Sequence, residues 1–360
     1  MATISNATLY LWIYSGTLGA DKPTEPNYVL YKDVKTGSDV ITFEISELVK
    51  DYIDINFTGD YSNITESVWV EYTMNRVYDD SSTAPLSDKF IAISGYGYFE
   101  DGVNPEFEKG ALIDNSKIYN YSGENIYLPI YTGDKGAYQA QYYNGATLLR
   151  TDTFGAPITS ITADTTNFSA DTIDITADSS LVSGVSSNVI TRVIPPSTTD
   201  KIVVTRHDNS TETILVETIE ECKYTPYKVS FLNKYGVVQD LWFFKRRDES
   251  VSVSKSDYLQ NTLKENSSSV SYSLNQSSKI PTDFKVTKSL KLNTGFVSED
   301  YNQVIQELLL TERAWIHEDS EVYPIVPKTS ELQYKTSLND KLINFTVDFD
   351  YAYNEINLIK

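Results

Sequence analysis

One cysteine, Cys222, stands in 360 residues. A lone thiol excludes an intramolecular disulfide and a cysteine-based zinc site. Stability must therefore come from packing and assembly, which fits a reducing compartment. Histidine is nearly as scarce, with His207 and His317 alone, and neither lies at His-x-x-x-His or Glu-x-x-His spacing. A metal centre needs about three or four converging ligands. Each histidine is followed by acids (Asp208; Glu318 and Asp319), so both read as surface residues of polar loops. No run approaches roughly 18 uncharged apolar residues, so no membrane insertion is expected. Met1–Ser5 also lacks the basic and then apolar segments of a secretory leader.

The motifs of common chemistries are missing as well. No Gly-x-Ser-x-Gly elbow anchors a serine hydrolase. No phosphate-binding glycine loop follows a strand, and Gly95-Tyr96-Gly97-Tyr98 is too short to be one. Acidic pairs such as Asp79-Asp80 and Glu299-Asp300 resemble the two carboxylates of a glycosidase. With 50 acidic residues in the chain, however, such pairs arise from composition, and a solvated face or a helix cap explains them better. Asp164, Asp171 and Asp178 recur at a step of seven but lack the ordered ligand pattern of a calcium loop. No catalytic residue, metal or cofactor is expected, and the chain reads as a non-enzyme.

The residues that are abundant set the fold class. Tyrosine occurs 27 times, against 14 Phe and 4 Trp. Aromatics suit a pleated, half-buried surface, and tyrosine suits subunit contacts through its rigid ring and polar tip. The formal charge is −20. Such a chain repels phosphate backbones, which argues against a DNA wrapper but not against a surface that DNA slides past.

The expected architecture is mainly β: two or more sandwich- or barrel-like domains with one or two short helices and extended polar arms. Residues 1–150 read as an N-terminal β domain, with strands near 8–15, 28–31, 40–45, 68–72 and 90–99. A short helix capped by Ser46 follows the third of these. Residues 151–200, rich in Ser, Thr and Asp, form an arm or linker. It holds the repeat Ile161-Thr-Ala-Asp, Phe168-Ser-Ala-Asp, Ile175-Thr-Ala-Asp. Residues 201–360 form a C-terminal β domain. Hairpin signals lie at His207–Ser210 and Asn233–Gly236, and a Ser-rich hairpin or loop spans 250–290. A helix over about 298–315 is capped by Ser298, and a final strand at 341–349 alternates with a period of two.

Subunit contacts are expected from Trp242, Phe243 and Phe244, because four large residues in a row from Leu241 exceed simple alternation. They require burial on both faces, inside the fold or against a partner. The adjoining Lys245, Arg246 and Arg247 either grip phosphate or an acidic partner, or form the wet end of the strand with Asp248 and Glu249. Phe168, alone among the polar residues of the arm, is the further contact candidate.

The stretch Lys223-Tyr-Thr-Pro-Tyr-Lys-Val-Ser-Phe-Leu-Asn-Lys-Tyr-Gly236 resembles virion proteins of tailed phages, as does Leu241-Trp-Phe-Phe244 after it. So do Leu292-Asn-Thr-Gly-Phe296, the helix after it, Val322-Tyr-Pro-Ile-Val326 and Tyr334–Asn344. Together they look like structural proteins of phages infecting Bacteroidetes, the crAss-like podophages among them. The likeness covers roughly residues 220–360, and more loosely 9–55 and 95–105. It implies a tail or neck ring, tube or baseplate subunit found in the virion and, during assembly, in the host cytoplasm. The implied assembly is a homo-oligomeric ring of six- or twelve-fold symmetry. Its partners would be other tail, neck or portal proteins and passing DNA that is not specifically bound. A receptor- or glycan-binding adhesion module is the alternative.

Overall fold

The computed structural model describes residues 3–34, 40–62, 64–103, 105, 110–133, 138–154, 189–266, 268–329 and 342–354. The fold is mainly β, built from several largely antiparallel sheets, with two short α-helices among the described residues. Two compact units divide the chain: Met1–Glu220 with Phe231–Leu241, and Glu221–Ser230 with Trp242–Lys360. The boundary expected at residue 201 is therefore displaced, because residues 201–219 complete a sheet of the first unit. The linker expected over 151–200 is a strand end at 151–154 and a short strand at Ile190–Val193. Its centre, with Phe168 and the seven-residue repeat, lies outside the described residues.

In the first unit, β1 (Ile4–Ser15), β2 (Tyr28–Asp33), β3 (Ser67–Tyr78) and β4 (Thr83–Ile93) form a sheet in the order β2-β1-β3-β4. Ala7, Leu9, Leu11 and Ile13 of β1 are buried at every second position, the signature of a strand with one covered face. Leu11 and Ile13 pack with Val68 and Val70 of β3 against Val49 of α1 (Ser46–Lys50). Residues 40–45 form no strand, and Ser46 is the first helical residue rather than the cap. Its backbone and hydroxyl bond Glu44 instead, at 3.0 and 2.6 Å.

A five-stranded sheet follows, from β5 (Lys117–Tyr121), β7 (Tyr138–Asn144), β8 (Thr147–Phe154), β10 (Lys201–Thr205) and β11 (Thr211–Ile219), in the order β5-β11-β10-β7-β8. The pair β6 (Leu128–Tyr131) and β9 (Ile190–Val193) packs onto it. Leu128, Ile130 and Val193 meet Ala140, Tyr142, Ile202, Val204 and Ile214 in one sandwich-like core. The hairpin turn expected at His207–Ser210 is present, with Asn209 at φ of 64°, and Asn144-Gly145 turns β7 into β8 with Gly145 at φ of 58°.

The remaining large sheet has the order β13-β12-β18-β19-β20-β17-β14. Its strands are β12 (Tyr227–Leu232), β13 (Val238–Phe243), β14 (Asp248–Leu259), β17 (Lys279–Ser298), β18 (Ala314–Glu318), β19 (Glu321–Pro327) and β20 (Leu342–Tyr351). A small hairpin, β15 (Leu263–Asn266) with β16 (Ser269–Tyr272), stands between β14 and β17. The expected alternation of the last strand holds: Ile343, Phe345, Val347 and Phe349 are buried, while Asn344 and Thr346 are exposed. Helix α2 spans Tyr301–Leu310, shorter than 298–315. Ser298 ends β17 and Asp300 holds the cap position, while Ala314–Glu318 is a strand whose Ala314, Trp315 and Ile316 are buried. The stripe of Tyr301, Val304, Ile305 and Leu308 is buried as its spacing requires.

Candidate interaction surfaces

The aromatic run is core. Trp242, Phe243 and Phe244 are 8%, 0% and 1% exposed, and Phe243 meets Phe349 edge to face at 6.0 Å. Of the two readings of this run, burial inside the fold is the one realised for Trp242, Phe243 and Phe244. A four-residue apolar stretch carries no mark of whether its second face is covered by its own chain or by another.

The basic cluster is engaged within the chain. Lys245 Nζ lies 2.6 Å from Glu221, and Arg246 lies 2.7 Å from Asp248. Arg247, with its side chain 10% exposed, bridges Glu318 and Glu249 and donates to the Tyr351 hydroxyl at 3.0 Å. The Lys245 ammonium, joined by the backbone N–H of Lys223, holds the Glu221 carboxyl below its ordinary range. Burial, and then the hydrogen bond to Glu318, pushes the Tyr351 phenol up. Lys245 and Arg247 thus each engage carboxylates of their own chain, Arg247 with its side chain nearly buried and Lys245 with its side chain 42% exposed. Arg246 stays exposed, but its neighbour Asp248 neutralises it.

Of the two histidines, His207 is exposed in the turn before β11, as expected. His317 is not in a loop. It sits in β18, and its Nε2 is 2.8 Å from Ser230 Oγ of the neighbouring strand β12. A serine beside a histidine is the start of a nucleophilic pair. Ser230 is 0% exposed, however, so no substrate carbonyl reaches it. Among the described residues, no group of three or more His, Cys, Asp or Glu could hold a metal ion. No described helix is long and apolar enough to cross a membrane.

The outer edge of β13 is closed by side chains that sequence reasoning did not single out. Glu66 and Arg192 form a two-pronged ion pair at 2.6 and 2.8 Å, with side chains 5% and 8% exposed. Glu66 also accepts the backbone N–H of Val238 at 2.7 Å, and Arg192 donates to the Val238 carbonyl at 3.1 Å. Two residues along, the Tyr61 hydroxyl donates to the Asp240 carboxylate at 2.6–2.7 Å. The ring of Tyr61 stacks on Tyr127 at 4.4 Å beside a cleft of about 510 Å³ lined by Asp60, Ser62, Thr191 and Arg192. A pairing of residues 126 positions apart leaves no periodic signal in a sequence.

The turn of that hairpin explains two glycines. Tyr96 donates its backbone N–H to the Lys234 carbonyl at 2.8 Å, and a Cβ on Gly95 would stand 2.6 Å from the same oxygen. Gly236 has φ of 69°, and a Cβ there would meet the Ser94 backbone at 2.5 Å. The Gly95–Tyr98 stretch is therefore a place of close backbone approach, not a phosphate loop.

At the opposite edge of the same sheet, all twelve residues of β14 are exposed. Its base pairs with the part of β17 that β20 backs, from Ser289 onward. From Val251 to Leu259 it continues as a two-stranded ribbon with β17, ending in the β15–β16 hairpin. The Ser-rich loop expected at 250–290 is this ribbon. Its exposed apolar residues include Val251, Val253, Tyr258, Leu263, Tyr272 and Leu274. No protein family, curated protein or solved structure compared with the chain matches it.

Proposed function

We propose that the chain is a non-enzymatic structural subunit of a tailed-phage virion. Several copies, six or twelve, close into a tail or neck ring or tube around the DNA channel. The observation that carries this reading is the ribbon: an all-exposed edge strand with unpaired backbone groups and outward apolar side chains is a template for another chain. The residue likeness over 220–360 supplies the virion context. The charge of −20 supports a channel wall to which DNA does not adhere.

The test is to purify virions of the phage that encodes the chain, identify their proteins by mass spectrometry, and image the particles by electron microscopy. The chain should be present at a fixed multiple of the portal and fit a symmetric ring or tube at the tail or neck. Its absence from purified particles ends the reading. The stacked Tyr61–Tyr127 pair beside the cleft supports the second reading, a glycan-binding module, since sugars pack on such aromatic faces. Retention of the chain on a glycan array, lost on Tyr127→Ala, would favour it.

A further inference from the structure

We infer that the ribbon of residues 250–288 docks on the acidic body of a second copy of this chain. The inference deepens the ring reading and rests on it for the presence of neighbouring copies. The first argument is conformational. Beyond Ser289 the ribbon has only two strands, and an isolated two-stranded ribbon is at best marginally stable in water. Some ten residues long on each side, it extends roughly 30 Å at the usual rise per strand residue. A structure of this kind is held by what it lies against.

The second argument is the exposed edge. Ser250–Ser254 reads Ser-Val-Ser-Val-Ser, with no charge, no proline and no break in register until after Ser254. Charges, prolines and bulges are what blunt an unpartnered edge. Outside this stretch such devices do occur, as Asp248, Glu249, Lys255 and Asp257 on β14 and as Pro281 and the left-handed Asp283, at φ of 49°, on β17. Val251 and Val253 share one face with Val286, the cross-strand partner of Val253, and are 61% and 57% exposed. This is an apolar strip one strand-pair wide, short of a core and sufficient for a contact.

The third argument chooses the occupant. Residues 250–288 hold five lysines (255, 264, 279, 285 and 288) against Asp257, Glu265 and Asp283. The ribbon therefore carries +2 in a chain of −20, which leaves −22 on the rest. Lys255, Lys279 and Lys285 are exposed and form no ion pair with a described residue. A positive finger on a strongly negative body is complementary to the body of an identical copy, and copies are the partners present at the highest local concentration in a ring. A ribbon laid on another ribbon would set like charges together.

The experiment uses the full chain. Its association is followed by sedimentation velocity over a concentration series, at about 0.05 and 0.5 M salt, which shortens the screening length roughly threefold. We expect self-association at low salt that weakens at high salt. The triple variant Lys255→Glu/Lys279→Glu/Lys285→Glu should weaken it by at least about tenfold in Kd, with an unchanged circular-dichroism spectrum and melting temperature. In a Cys222→Ser background, a photo-cross-linker attached at Val253→Cys should join two chains, with the linked peptide outside residues 250–288. A chain that stays monomeric throughout, association indifferent to the lysine reversals, or cross-links falling ribbon on ribbon would each overturn the inference. Presence in virions with a monomeric purified chain would leave the ring reading standing and this one lost. Self-association without virion incorporation would do the reverse.

Discussion

The two edge strands of the seven-stranded sheet, β13 and β14, follow one another in the chain and have opposite fates. Val238–Phe243 is covered: its apolar residues are buried, and a buried Glu66–Arg192 pair bonds both backbone groups of Val238. Asp248–Leu259 is bare along its whole length. Edge strands expose unpaired donors and acceptors, and a protein must cover them, blunt them or use them. Here one edge is covered from within the chain and the other is left exposed. The large aromatic side chains, which look most like interface residues, lie at the closed edge. The serine–valine strand, which looks like filler, lies at the open one.

Several substitutions test that contrast. Phe243→Ala, which removes a fully buried ring packed on Phe349, should cost about 3–5 kcal/mol in urea unfolding, whereas Val253→Ala should stay within about 0.5 kcal/mol. Equal costs at the two sites would mean that β14 is covered in the monomer. Glu66→Ala strands a buried guanidinium and frees the Val238 amide, and should cost about 3 kcal/mol by the same measurement. A near-neutral result would show that water reaches Arg192 and that the β13 edge is open too. Gly236→Ala forces a side chain into a left-handed turn against the Ser94 backbone and should lose about 2 kcal/mol, seen as a lower melting temperature.

The smallest effect is acid sensitivity at the Lys245–Glu221 pair. The folded-state pKa of Glu221 lies below its unfolded value. Its contribution is therefore present above the ordinary glutamate pKa, near 4.3, and is lost as pH falls through the lower folded value. Glu221→Gln should flatten the fall in the unfolding midpoint below about pH 4.3 while leaving the Val253→Ala comparison untouched.

Much of the fold was legible in local pattern. The alternation in β1 and β20, the turn residues at Asn144-Gly145 and Asn233–Gly236, and the apolar stripe of α2 each carry their own period or backbone requirement. Where local reading failed, long-range pairing had won. Residues 314–318 extend the apolar pattern of α2 yet form a strand, because β19 pairs with them. Residues 201–219 look like the start of a new domain, yet β10 pairs with β7 and β11 with β5. The aromatic run shows the same limit, since burial by a distant strand such as β20 leaves no trace beside Phe243.

By itself the sequence determined a mainly β chain without an intramolecular disulfide, strongly acidic, with its hairpin turns, its second helix and its final strand in place. Composition, periodicity and turn chemistry act over a few residues and need no partner to be read. Tertiary structure alone decided which edge is closed and which is open, since that depends on side chains more than a hundred residues apart meeting the same backbone groups. It also turned a serine-rich stretch of no evident pattern into the longest exposed strand pair described, because a strand's pairing is settled by its neighbour rather than by its own residues.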